Sequence, residues 1–134
     1  MTLRNLNLRN QDPCWTDSKN ARFDPEALWK RVEGDTELLR EVIAVFETEF
    51  PEMLASATRA IENHDAAQLE RVAHKIKGTV TQFSASVAVA AARELEQLGR
   101  SGTLTGAGDV LEKLKREMEW LVGRLHLMSR SIPE

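Results

Sequence analysis

Leu69, Val72, Ala73, Ile76, Val80 and Phe83 fall at three- and four-residue steps. That spacing marks a helix with one buried stripe, and it constrains this chain more than any other feature. At about 100° per residue, His74 lies roughly 140–150° from the centre of the stripe, so burying the stripe turns the imidazole to water. Lys77 follows three residues later, within side-chain reach of the ring. Gly78 lies one turn on along the same outer face, with Thr81 beyond it. A glycine inside a helix costs about 1 kcal/mol relative to alanine. Two reasons can offset that cost: close packing against another helix, or a bare backbone that leaves His74 open to a partner. The place of Gly78 on the polar face points to the second.

The rest of the chain keeps the helical period. Asp24-Pro25-Glu26 is a helix start, with an N-cap, a proline at the first helical position and an acid for the dipole. The short helix carries Leu28, Trp29 and Val32 and ends at Gly34. Asp35 caps a long helix with the stripe Leu38, Leu39, Val42, Phe46, Phe50, Met53, Leu54, Ala57 and Ile61, which Pro51 should bend. Asn63-His64 forms a turn, and Asp65 with Gln68 resembles a capping box at the start of the His74 helix, which runs to about Phe83. Ser84-Ala85-Ser86 is either a break with Ser86 as a new cap or a place where the chain barely bends. The next helix carries Val87, Ala91, Leu95 and Leu98 and ends near Gly99 to Gly102; its alanines 88, 90, 91 and 92 allow close helix approach. Thr103 to Gly108 is a flexible connection. A last helix, about Asp109 to Met128, has the stripe Leu111, Leu114, Met118, Leu121, Leu125 and Met128.

No segment alternates as a strand would, and there is no internal repeat. The expected fold is all-α: an antiparallel up-down-up-down four-helix bundle with the short Pro25 helix packed across one end. Residues 23–134 make up the bundle domain. Residues 1–22, with Leu3, Leu6, Leu8 and Trp15, are an N-terminal extension: a linker, or a strap if Trp15 is buried.

Composition enters mainly by exclusion. A chain of 134 residues with 42% hydrophobic and 29% charged residues can bury a real core. Its formal net charge of −3 gives no case for nucleic-acid binding. No apolar run approaches the ~20 residues of a membrane span, and the start lacks a signal-peptide core, so a cytoplasmic place is expected. The single cysteine, Cys14, suits a reducing compartment. His64, His74 and His126 are too scattered to read as a metal site. There is no Walker loop or glycine-rich ATP-binding stretch, so no autokinase activity is expected.

The run Ala73-His74-Lys75-Ile76-Lys77-Gly78-Thr79 resembles the Ala-His-x-Leu-Lys-Gly-Ser/Ala pattern of the histidine-containing phosphotransfer (HPt) domain family. The resemblance spans about Phe23 to Met128 and takes in residues 31–54, with their proline, as well as Glu94-Leu95-Glu96 and Leu98-Gly99-Arg100. The chain departs from the pattern six residues after Gly78, where the family commonly has glycine and this sequence has Ser84.

The resemblance implies a phosphorelay intermediate that takes a phosphoryl group from a receiver-domain aspartate and passes it to another receiver. His74 would be the phosphoacceptor and Lys77 the charge that steadies the phosphoryl oxygens. Arg71, Lys75, Gly78, Thr81 and Arg100 are the candidate docking residues. Phosphoryl transfer asks mainly for positioning and charge neutralisation. The chain offers no acidic cluster for Mg²⁺, so it needs no cofactor of its own, and the metal should sit on the partner. The expected partners are response-regulator receivers and a sensor histidine kinase or hybrid kinase, met by a monomer. The alternative is a helical interaction or scaffold module whose His74 is merely exposed.

Overall fold

The computed structural model describes residues 22–130. They form α1 (Pro25–Arg31), α2 (Thr36–Glu62), α3 (Ala66–Thr81), α4 (Ser86–Ser101) and α5 (Ala107–Arg130), with no β-sheet among the described residues. The expected extension, apart from Arg22, lies outside them. Aspartates start three of the helices. The carboxylates of Asp24, Asp35 and Asp65 accept from the backbone N–H groups of Ala27, Leu38 and Gln68, at 3.1, 3.0 and 3.1 Å. Each satisfies a donor that the first helical turn leaves without a partner. α2 continues through Pro51 as a single helix, short of the bond that residue cannot donate.

α2 packs on α3, α3 on α4, α4 on α5 and α5 back on α2, closing a ring. The connections are short: 63–65, 82–85 and 102–106. A 16-residue helix such as α3 or α4 rises about 24 Å, too far for such connections to retrace. Consecutive helices therefore run antiparallel, and the bundle goes up, down, up and down around Leu39, Phe46, Leu69, Ile76, Leu95, Leu114, Met118 and Leu121. α1 lies at the end where α3 turns into α4. The Asp24 N–H reaches the Phe83 carbonyl, and the Arg31 guanidinium donates to the carbonyls of Thr81 and Gln82.

The α3–α4 junction is a true break. Ser84 takes φ +53°, the left-handed region that favours glycine. Ser86, expected as a possible cap, is instead the first residue of α4. The capping position falls to Ala85, which has no side-chain bond to give.

Two stripes are rotated from their expected positions. In α2, Leu38 is 41% exposed, Val42, Phe50 and Ile61 are only partly buried, and Ile43 and Ala60 face the core. In α4 the buried face is Ala88, Ala91, Ala92, Leu95, Glu96 and Gly99, while Val87 and Leu98 sit at its margins. Small residues take the inside because α3 and α4 approach closely there. The same rotation carries Glu96 inward.

Candidate functional site

His74 stands in the middle of α3 with its side chain 70% exposed, while its neighbours Ala73 and Ile76 are fully buried. The stripe that buries those residues faces the imidazole outward, as the periodicity requires. Beneath the ring, on α4, lies Glu96, which is only 5% exposed. One carboxylate oxygen, Oε2, is 2.7 Å from His74 Nδ1, and the other, Oε1, accepts from Lys77 Nζ at 2.7 Å. Arg100, one turn along α4, brings Nη2 to 3.5 Å from Oε2 and donates from Nε to Glu70 at 3.0 Å.

Burial alone would push the Glu96 carboxyl upward. The Lys77 ammonium bonded to it outweighs that effect, and the bond from His74 adds to it, so Glu96 is held below the usual carboxylate range. An ionised carboxylate only accepts. Bonding therefore assigns the Nδ1 proton to the ring, which leaves the lone pair of the neutral imidazole on Nε2, the nitrogen turned away from Glu96. The arrangement provides an exposed, oriented nitrogen nucleophile with an anion behind it and cations at its flank.

The residues expected from the sequence fall into place unequally. His74 and Lys77 meet on one carboxylate. Arg100 joins the same cluster but is held by two acids rather than projecting freely. Arg71 and Lys75 are exposed on α3, and Arg71 donates to Gln68 of its own helix at 2.7 and 3.2 Å. The Thr81 hydroxyl donates to the Lys77 carbonyl at 2.6 Å. Around Gly78 nothing lies within 4 Å of where a Cβ would stand, so open backbone, not close packing, describes that glycine.

Sequence reasoning did not single out Glu96 as a site residue. The available signal was its position four residues after Ala92 on the small-residue face of α4, where a charged side chain must find partners. A second feature also escaped it. Leu38, Val42, Val45 and Phe46 of α2 line an open apolar groove with Thr79, Gln82 and Phe83 at the far end of the His74 helix. Among the described residues, no group of three or more His, Cys, Asp or Glu could hold a metal ion, and no helix is long and apolar enough to cross a membrane.

Comparisons with known proteins bear on the family and the fold. The Hpt domain family matches residues 41–123. In structure the chain is similar to histidine-containing phosphotransfer protein B (HptB) of Pseudomonas aeruginosa PAO1, with a TM-score of 0.70 and 25% identity, covering 84% of this chain and 97% of that one. No curated protein matches the sequence.

Proposed function

This chain belongs to the Hpt domain family and is a histidine phosphotransfer protein of a phosphorelay, and we propose that His74 is the residue that carries the phosphoryl group. The observation that supports this most is the bond between Nδ1 and Glu96, which presents Nε2 to solvent as the nucleophile.

In the proposed step, Nε2 attacks the phosphorus of an aspartyl phosphate on a receiver domain. The N–P bond forms as the acyl P–O bond breaks, and the receiver's aspartate leaves with the electron pair. Positive charge develops on the ring, with the Nδ1 proton still bonded to Glu96, and the carboxylate opposes that charge at the place where it appears. Lys77 steadies the phosphoryl oxygens while helping to hold Glu96. Transfer to a second receiver is the same step in reverse, with the new aspartate as nucleophile. Mg²⁺ belongs to the receiver.

The chain is thus a carrier, with no autokinase activity of its own. Receivers dock over the His74 face, flanked by Arg71, Lys75, Thr81 and Arg100 and opened by Gly78, and extend onto the apolar groove of α2. A sensor or hybrid kinase supplies the phosphoryl group upstream, and the protein works as a cytoplasmic monomer.

Incubation with labelled phospho-receivers tests the reading. Label should move to this chain in an acid-labile, base-stable form, and His74→Gln should abolish it. A wild-type chain that stays unlabelled with several receivers at high concentration would instead mark a scaffold module.

A further inference from the structure

Among the helical glycines, Gly78, Gly108 and Gly123 have nothing within 4 Å of the place a Cβ would occupy, whereas Gly99 is crowded there. A Cβ at Gly99 would stand 2.6 Å from the Glu70 nitrogen, 2.8 Å from the Ala66 carbonyl oxygen and 2.9 Å from the Glu70 Cα. All three are backbone atoms of α3, so no side chain can rotate out of the way. Gly99 therefore marks a point where α3 and α4 touch backbone to backbone.

The contact lies beside the phosphoacceptor. Glu70 is one helical turn before His74, and Gly99 is three residues after Glu96. The Glu70 carboxylate is taken by Arg100, the residue next to Gly99, so side chains secure the same contact. The small residues Ala88, Ala91 and Ala92 continue the buried face of α4. Glu96 meets His74 at 2.7 Å across this seam.

We propose that Gly99 is a positioning residue for phosphotransfer: it sets the α3–α4 separation at which Glu96 reaches His74 Nδ1 and fixes the Nε2 lone pair. The proposal rests on His74 as the phosphoacceptor. Any side chain at position 99 makes α4 retreat by on the order of 0.5 Å to clear the backbone of α3. A bond of 2.7 Å is then stretched to the limit of a hydrogen bond, and the ring loses its fixed tautomer.

The test compares Gly99→Ala with Glu96→Asp, which shortens the carboxylate's reach without crowding the helices, and with Gly123→Ala on α5 as a helical-glycine control. Nitrogen-15 NMR of the imidazole reads the tautomer, and labelling by a phospho-receiver reads transfer. Wild type and Gly123→Ala should show the Nδ1–H form. Gly99→Ala and Glu96→Asp should both show mixed tautomers and label roughly tenfold more slowly, with little further loss in the double variant. A Gly99→Ala chain that folds and keeps the Nδ1–H form and the wild-type rate overturns the proposal. If Gly99→Ala does not fold, Glu96→Asp decides alone: an unchanged tautomer and rate mean that reach does not matter, and the proposal fails. Absence of label on wild type instead counts against His74 as phosphoacceptor, which separates the two claims.

Discussion

A carboxylate as buried as Glu96 keeps its charge only while donors hold it, and here Lys77, His74 and Arg100 do so. Because the folded-state pKa is lowered, the stabilisation from ionised Glu96 is fully present above the unfolded carboxyl value of about 4.3. It is lost as pH falls through the lower folded value. Glu96→Gln removes this contribution. Denaturant unfolding between pH 7 and 3 should therefore show wild-type stability falling more steeply with acid than that of Glu96→Gln. Parallel acid limbs would mean that the carboxylate is not held as the geometry indicates. The sequence placed His74 and Lys77 together by spacing alone, but it could not place Glu96, because that contact joins two helices and depends on how α4 is rotated.

At the scale of elements, the α3–α4 junction carries a local strain. Ser84 sits at φ +53°, where a Cβ costs roughly 1–2 kcal/mol, partly offset by the freedom glycine adds to the unfolded chain. Ser84→Gly should raise the unfolding free energy by about 0.5–1 kcal/mol in a denaturant melt and leave phosphoryl acceptance unchanged. A loss of stability would show that the serine side chain contributes more than its strain costs. This departure from the family pattern was visible in the sequence as a missing glycine, and the backbone still adopts the conformation glycine favours. Helix number, order and most caps were likewise legible, since aspartates and apolar spacing act locally. Which face of α2 and α4 points inward was less so. Leu38 and Ile43 are isomers of equal size, so side-chain type could not choose between them, and on α4 the small face of Ala88, Ala91 and Ala92 fits close against α3 where the larger Val87 does not.

For the molecule as a whole, the bundle serves as a rigid frame that presents one face, and phosphotransfer depends on how another protein meets that face. We propose that the apolar groove of α2 extends that face beyond the imidazole. Val45 is 53% exposed there, so Val45→Asp should leave stability within about 0.5 kcal/mol. It should weaken receiver binding roughly tenfold in a titration, as the loss of one well-placed apolar contact would. Unchanged binding would move the docking surface away from α2. The proposed transfer turns on which nitrogen of His74 would take the phosphoryl group. Phosphorus–nitrogen coupling in an isotope-labelled, phosphorylated chain reads this directly: it should place the N–P bond on Nε2 of His74. A bond to Nδ1, or a phosphoryl group on any other residue, would contradict it.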